Sequence, residues 1–229
     1  MEQLHNGYTL EIPEGAFPLS TDSMALAGFV KLKKNAKVLD LGSGCGTLGL
    51  LLCASDGSCA VTGYELTQTA HEAAMRNIRA NSLDDRLESI CADLRQIPSL
   101  VLPGSFSVCV SNPPYFTAGP ESHRNPTARR EDCCSLEDLF RSAAWALQYG
   151  GDFFLVHRPE RLAEICACAV AVNMAPKRLC LLRHREGGPV SLILVQCRKG
   201  GKPGLTWEEA TLFDRNGDPT PCYRSLYHI

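Results

Sequence analysis

Strand-like and helix-like runs alternate along the chain from Lys37 onward, and this order constrains the fold more than any other feature of the sequence. Short apolar runs are typical of buried strands, and the stretches between them carry helical spacing. Such alternation predicts an α/β fold in which a mostly parallel sheet lies between two layers of helices. With 229 residues, of which 45% are hydrophobic, the chain can bury the core of one such domain.

The first five predicted strands lie in KVLDLGS, CAVTGYEL, RLESICAD, FSVCVSN and DFFLVHR. The helices between them include one capped by Thr67, one that opens with a capping box at 135–138 and ends at Gly150–Gly151, and one that starts at Pro159. After Pro176, two apolar runs joined by REGGP predict an antiparallel hairpin that closes the sheet.

A cluster of glycines follows the first predicted strand. Gly44-x-Gly46-x-x-Gly49 matches the dinucleotide-binding fingerprint, and Gly42-x-Gly44-x-Gly46 preceded by Asp40 matches the loop that binds S-adenosylmethionine. Glycines let the chain turn sharply and let a ligand approach the backbone amides that open the next helix. The glycines alone therefore indicate a nucleotide-like ligand and leave both cofactors open.

Two carboxylates end the second and third predicted strands, at the edge where open parallel sheets bind ligands. Glu65 can accept hydrogen bonds from both hydroxyls of a ribose, and Asp93 can accept one from an adenine amino group. Either residue alone could equally be an ordinary polar strand end. Because both residues end strands at the same predicted edge as the glycine loop, the pattern favours a binding role for both.

The fourth predicted strand ends in SNPPYF, which forms either a simple turn or part of a site. An amino nitrogen conjugated to a ring is a poor nucleophile, and two acceptors that hold its hydrogens draw it towards tetrahedral geometry. Asn112 Oδ1 and the Pro113 carbonyl can supply these acceptors. The two prolines stiffen the backbone, and Tyr115 can stack on the acceptor ring. A dehydrogenase would leave this motif unexplained.

The chain resembles class I S-adenosylmethionine-dependent methyltransferases, because it carries four of their elements in the same order: the glycine loop, Glu65, Asp93 and the Asn-Pro-Pro-Tyr motif. More narrowly, the chain resembles the bacterial enzymes that N6-methylate an adenine in the anticodon loop of a valine tRNA. The stretches that carry this likeness are AFPLSTDSMALAGF, NPPYF with the following TARRE, and LTWEEATLFDRNGDPTPCYRSLYH. The resemblance implies a Rossmann-like, three-layer α/β/α fold with a seven-stranded, mostly parallel sheet and an antiparallel C-terminal hairpin.

The resemblance also implies which residues form the sites. The S-adenosylmethionine contacts would be Thr21, Asp40, Gly42, Gly44, Gly46, Glu65, Leu66, Asp93, Leu94 and Asn112. The catalytic motif would be Asn112, Pro113, Pro114 and Tyr115, and the RNA substrate would contact Tyr115, Phe116, Arg129 and Arg130. In that family the segment before the first strand folds over the cofactor. Residues 1–36 are therefore expected to cover it, with Phe17, Thr21 and Asp22 as contacts, and residues 37–229 to form the methyltransferase domain.

A formal net charge of -2 does not by itself indicate a nucleic-acid-binding protein. The basic side chains are nevertheless concentrated on the predicted hairpin, where Glu186 is the one acidic residue beside Lys177, Arg178, Arg183, Arg185, Arg198, Lys199 and Lys202. This hairpin, and the loop that carries Arg129 and Arg130, could each contact the phosphates of a tRNA or be solvated charge. We expect RNA, and a tRNA in particular, as the partner.

The twelve cysteines contain no Cys-x-x-Cys pair, and neither Cys133–Cys134 nor Cys166-x-Cys168 has common zinc spacing, so no metal is expected. The cysteines in strand-like runs are expected to be buried free thiols: Cys91, Cys109, Cys180 and Cys197. The first residues do not resemble a signal peptide, and no apolar run approaches the ~20 residues that span a bilayer. We therefore expect a cytoplasmic protein without a membrane partner.

Four other functions stay open at this point. The acceptor could be a glutamine amide of a protein, although such enzymes carry a helical recognition domain that would not fit before Lys37. It could be a DNA adenine, although those enzymes carry an added target-recognition region. It could be a guanine amino group of ribosomal RNA. A non-catalytic cofactor-binding adaptor would be expected to lack Asn112 or Glu65, and both are present.

Overall fold

The computed structural model of the chain describes residues 2–4, 7–13, 19–113 and 134–228. Their strands are β1 (Glu2–Gln3), β2 (Thr9–Leu10), β3 (Lys37–Leu41), β4 (Ala60–Glu65), β5 (Leu87–Cys91), β6 (Phe106–Ser111), β7 (Leu147–His157), β8 (Met174–Arg185), β9 (Val190–Lys199) and β10 (Thr206–Phe213). Their helices are α1 (Thr21–Phe29), α2 (Thr47–Ser55), α3 (Gln68–Ala80), α4 (Ile97–Leu100), α5 (Leu136–Ala146), α6 (Leu162–Ala171) and α7 (Pro221–Tyr227). Short 3-10 turns span Leu94–Gln96 and Pro159–Arg161.

The main sheet has the strand order β10-β8-β9-β7-β6-β3-β4-β5, and β9 runs antiparallel to both of its neighbours. The other strands are parallel, so the expected α/β class and the expected C-terminal hairpin of β8 and β9 are confirmed. The sheet has eight strands rather than seven. The additional strand is β10, which comes from the LTWEEATLF stretch and pairs in parallel with β8.

Two apolar cores lie on the two faces of this sheet, which makes the fold three-layered. One core contains side chains of α1, α2 and α3 and is flanked by α7, and the other contains side chains of α4, α5 and α6. The central strands are buried on both faces, which explains why they are nearly continuous apolar runs. Phe140 of α5 packs edge to face on Phe153 of β7, with ring centroids 5.1 Å apart. Complete burial of each ring contributes roughly 1.5–3 kcal/mol to folding.

The ends of two helices differ in detail from the sequence prediction. The capping box of α5 is present, since Ser135 Oγ accepts a hydrogen bond from Asp138 N and the Asp138 carboxylate accepts one from Ser135 N. The helix ends at Ala146, however, and Gly150–Gly151 lie inside β7. A Cβ atom on Gly151 would lie 3.0 Å from the Ser107 carbonyl, so glycine serves the close approach of β7 to β6 here. Thr67 occupies the N-cap position of α3, but its side chain makes no capping hydrogen bond.

The N-terminal residues are attached to α3 by side-chain amides. Asn81 pairs with both backbone groups of Thr9, at 2.8 Å for each bond. Asn77 does the same for Glu11, at 2.7 and 2.9 Å, and Arg76 forms an ion pair with the Glu11 carboxylate. Helix α1 is anchored separately, because its Leu26 is fully buried in the core. The described parts of the segment before β3 are therefore packed onto the sheet layers, while the role of residues 1–36 as a cover for the cofactor stays a prediction.

The described cysteines and helices bear on three questions: the state of the thiols, metal binding and membrane spans. All eleven cysteines among the described residues are free thiols, and those of the strand interiors are buried as expected: Cys109, Cys180 and Cys197. The expectation was wrong for Cys91, which is exposed where β5 ends. No cluster of metal-ligating side chains occurs within the part of the chain that the structure describes. Across the same described ranges, no helix is both long enough and apolar enough to cross a bilayer.

Candidate active site

The glycine loop lies between β3 and α2, at the carboxyl edge of the sheet. Gly42, Gly44 and Gly46 all have positive φ values, of 76°, 57° and 84°, which side chains with a Cβ atom rarely adopt. The amides of Gly42 and Ser43 donate to the Tyr64 carbonyl at 2.9 and 3.1 Å, so the loop is tied to the end of β4. This conformation turns the chain tightly at the opening of α2, where backbone amides favour electron-rich groups.

Glu65 ends β4 and braces the glycine loop from the side. Its Oε2 accepts a hydrogen bond from Gly44 N at 2.9 Å, and its Oε1 accepts one from Thr67 N at 2.8 Å. Each carboxylate oxygen can accept a second hydrogen bond, so this arrangement keeps the acceptors that a ribose diol requires. Leu66, the next residue, is 48% exposed and offers an apolar surface to a planar ring.

Asp40 is buried beneath the same loop. Its side chain is 1% exposed, and neither carboxylate oxygen has a hydrogen-bond partner among the described residues. Burial, and secondarily the charge of Glu65, raise the pKa of Asp40 to about 8. A buried carboxyl group without a donor is costly, and a cationic ligand group would relieve that cost. The charged amino group of S-adenosylmethionine has the required sign and donors, so the residues present fit this cofactor.

Asp40 should make the stability of the ligand-free protein depend on pH. Because its folded pKa lies above the ordinary value of 3.8, its contribution is fully present below about pH 4 and is lost as the pH rises to about 8. We expect Asp40→Asn, which has almost the same shape and does not titrate, to lose less stability than the wild type over that range. Urea unfolding of both proteins at several pH values measures the difference, and parallel pH profiles would contradict the assignment.

Asp93 follows β5 and caps the 3-10 turn that begins at Leu94. Its carboxylate accepts hydrogen bonds from the backbone and the guanidinium of Arg95, and this guanidinium holds the pKa of Asp93 below its usual value. An adenine amino group would therefore share Asp93 with Arg95. The sequence alone did not indicate this pair, and the contact between Asp93 and adenine stays a prediction.

Asn112 and Pro113 follow β6 directly. Ser111 Oγ donates to the Leu41 carbonyl at 2.7 Å, which ties the end of β6 to the end of β3. Asn112 Nδ2 donates to Ser23 Oγ of α1 at 3.1 Å. A pocket at this edge is lined by Leu41, Gly42, Leu94, Asn112, Pro113 and the first turn of α5. The structure thus brings predicted cofactor-binding residues and predicted catalytic residues together around one cavity.

The remaining predicted site residues divide into two groups. Thr21 is described, and its hydroxyl lies 3.1 Å from the Tyr227 hydroxyl of α7, so it joins two helices. Asp22 is partly buried in the first turn of α1. The others lie outside the described residues: Phe17, Pro114, Tyr115, Phe116, Arg129 and Arg130.

Two residues of this region were missed by sequence reasoning. Asn77 of α3 is 2% exposed, and its Nδ2 donates to the Cys45 carbonyl of the glycine loop at 3.0 Å. An amide on the apolar stripe of a helix is the signal that could have revealed it, because buried polar groups require partners. Ser23 is the second missed residue, and nothing in its sequence neighbourhood indicates a partner 89 positions away.

A doubly wound sheet with a glycine loop, strand-end carboxylates and an Asn-Pro element at one edge defines a class I methyltransferase. The model of the methyltransferase small domain family matches residues 19–165, and the chain belongs to that family. This assignment confirms the class that the sequence motifs indicated.

Two similar proteins and two solved structures accompany this match. A tRNA1(Val) (adenine(37)-N6)-methyltransferase of Bacteroides fragilis is 31% identical over 183 residues, which is 79% of this chain and 76% of that protein. The protein of the same description from Photobacterium profundum is 25% identical over 91% of this chain and 88% of its own length.

The crystal structure of a protein described as a predicted O-methyltransferase from Agrobacterium tumefaciens has a TM-score of 0.77 and 25% identity, covering 91% of this chain and 96% of that one. The T. thermophilus 16S rRNA N2 G1207 methyltransferase, solved with AdoMet and guanosine, has a TM-score of 0.62 at 21% identity, over 86% of this chain and 49% of that one. This last likeness concerns the fold alone.

Proposed function

We propose that this protein transfers a methyl group from S-adenosylmethionine to the exocyclic N6 amino group of an adenine in RNA, in a tRNA anticodon loop. The observation that carries the proposal is the position of Asn112 and Pro113, which line one pocket with Gly42 of the glycine loop. The similarity to the Bacteroides fragilis tRNA1(Val) adenine methyltransferase supports the choice of acceptor.

The residues around the pocket have complementary tasks in this reaction. S-adenosylmethionine, when bound, supplies a methyl group attached to a positively charged sulfur. Asn112 Oδ1 and the Pro113 carbonyl accept the two hydrogens of the target amine and orient its lone pair towards that methyl group. The carbon–sulfur bond breaks as the carbon–nitrogen bond forms, and the methylated nitrogen then loses one proton to solvent. Two neutral acceptors suit this order of steps, because the amine needs no base before the methyl transfer.

On the cofactor side, three carboxylates serve different parts of the ligand. Glu65 accepts hydrogen bonds from the ribose hydroxyls while it braces Gly44. Asp40 neutralises the amino group of the methionine part from beneath the loop. Asp93 accepts from the adenine amino group while it stays paired with Arg95.

On the substrate side, the structure divides the basic hairpin that the sequence suggested as one surface. Arg183 and Arg185 lie where β8 ends, at the same edge of the sheet as Asn112. Arg198 and Lys199 lie at the opposite edge, where Arg198 pairs with Asp152 and Lys199 donates to the Leu147 carbonyl. At the first edge Arg183 also donates to the Gly188 carbonyl and pairs with Glu209, whereas Arg185 is exposed. We therefore propose a phosphate contact for Arg185 and drop Arg198 and Lys199 from the RNA surface.

The direct test of the proposed function is mass spectrometry of nucleosides from tRNA incubated with the protein and isotopically labelled cofactor. We expect labelled N6-methyladenosine. Label that appears instead on a protein glutamine, on duplex DNA or on N2 of a guanine in ribosomal RNA would overturn the acceptor and retain the methyltransferase class.

Two adjacent arginines that follow the Asn-Pro-Pro-Tyr motif in the sequence should contribute to RNA binding. Replacement of Arg129 and Arg130 by Ala should raise the KM for tRNA and leave cofactor affinity unchanged. Each lost contact to single-stranded phosphate should also flatten the log–log dependence of binding on salt by about 0.7. The matched control is Lys33→Ala with Lys34→Ala, an adjacent exposed pair just before β3 at the opposite edge of the sheet. If the two double variants have equal effects, the arginines act only through the net charge of the protein and not through specific contacts.

A further inference from the structure

Ser23 connects the N-terminal helix to the residue proposed to hold the target amine. It lies in the first turn of α1 and is 7% exposed, and its Oγ is 3.1 Å from Asn112 Nδ2. The next residues, Met24 and Leu26, are buried in the apolar core. Because this packing holds the helix, Ser23 stays within hydrogen-bonding reach of Asn112.

The contact matters because the two ends of a carboxamide have opposite hydrogen-bonding properties. Nδ2 only donates and Oδ1 only accepts, and the group is planar. An adenine amine offers hydrogens, so it requires Oδ1, and a rotation of Asn112 by half a turn would place Nδ2 there instead. In the structure Ser23 Oγ accepts from Nδ2, and this bond restrains rotation of the carboxamide from the orientation that the target amine requires.

We infer that Ser23 is a positioning residue that holds the Asn112 carboxamide by its Nδ2, so that Oδ1 is directed at the target amine. The inference rests on the proposed function, because it assigns Asn112 the role of accepting a hydrogen bond from the substrate. It also gives α1 a task in the chemical step in addition to its packing on the sheet. The helix is further held at its start, since Ser20 Oγ accepts from Ser23 N and Thr21 contacts Tyr227 of α7.

The kinetic test compares three variants in single-turnover methyl transfer to tRNA. Ser23→Ala should slow the transfer about fivefold, the scale of one lost neutral hydrogen bond, with cofactor affinity and the KM for tRNA unchanged. Ser23→Thr retains the hydroxyl and should restore the rate to within about twofold of the wild type. Ser55→Ala is the matched control, because Ser55 also lies in a helix and its hydroxyl donates to the Leu51 carbonyl of its own helix, away from Asn112. A normal rate in Ser23→Ala, or an equal loss in Ser55→Ala, overturns the inference.

A double-mutant comparison separates positioning from packing. If Ser23 acts only through Asn112, Ser23→Ala should cause no further loss in a protein that already carries Asn112→Ala. The same fivefold loss in that background would show that Ser23 stabilises the fold or the cofactor instead.

A spectroscopic measurement keeps the inference testable without turnover. The side-chain amide hydrogens of Asn112, identified by their absence in Asn112→Ala, should exchange faster with water in Ser23→Ala than in the wild type. Unchanged exchange would show that Ser23 does not hold the amide. This readout needs no substrate, so it distinguishes a failed positioning role from a wrong acceptor, which the nucleoside analysis reveals separately.

Discussion

Asn112→Ala should reduce single-turnover methyl transfer at least about 100-fold while cofactor affinity stays nearly unchanged. The side chain follows β6 and lines the pocket beside the glycine loop, where its oxygen can accept a hydrogen bond from the target amine. This bond strengthens as the nitrogen becomes tetrahedral and positively charged. Its loss therefore affects the transition state more than the bound substrate.

Two measurements identify the step that Asn112 serves. Calorimetric titration with the cofactor should give a dissociation constant within about threefold of the wild type, because the proposed contacts of Glu65 and Asp40 are retained. Circular dichroism should show an unchanged fold. If turnover stays normal, the Asn-Pro-Pro-Tyr stretch is only a turn, and the reaction requires another acceptor.

Glu65→Ala should weaken binding of S-adenosylmethionine by roughly 1–3 kcal/mol, which is about five- to 150-fold in the dissociation constant. The carboxylate does two things in the structure. It holds Gly44 N and Thr67 N, and it keeps acceptors for the ribose hydroxyls. Alanine removes both functions, so the loop loses its brace and the ribose loses its partner.

Glu65→Gln is the matched variant for this experiment, because it keeps the size of the side chain and one acceptor oxygen. Only one of the two backbone amides can then be satisfied, so we expect an affinity between those of the wild type and Glu65→Ala. Calorimetry of the three proteins tests this order. Unchanged affinity in Glu65→Ala, or tight binding of NAD by the wild type, would contradict the assignment of the loop to S-adenosylmethionine.

The sequence predicted the site best where the signal is local. The glycines at 42, 44 and 46 adopt the positive φ values that such a run implies, and Glu65 ends its strand next to them. The capping box at Ser135 is also a local signal, since it links residues three apart. Such features depend on backbone geometry within one turn, and neighbouring residues are sufficient to specify it.

The sequence was less informative where a residue has a different use in its tertiary context. Gly150 and Gly151 resemble a helix stop, yet both lie inside β7, where Gly150 adopts a positive φ and Gly151 allows the close approach of β7 to β6. Asp93 has a partner, Arg95, that the sequence did not indicate, and its contact with adenine stays a prediction. The first half of strand β10 has exposed side chains, so apolar periodicity could not reveal it, and pairing with β8 defines it.

The sequence by itself determined the class of this protein: the alternating runs, the glycine loop, Glu65 and the Asn-Pro-Pro-Tyr motif specify a methyltransferase sheet and the edge where it binds its ligands. Only the tertiary structure decided which distant side chains meet there. Ser23 reaches Asn112, Asn77 reaches the glycine loop, and the arginines of one hairpin divide between opposite edges. The physical reason is that these contacts depend on how helices pack across the sheet, and that packing depends on the whole apolar core at once.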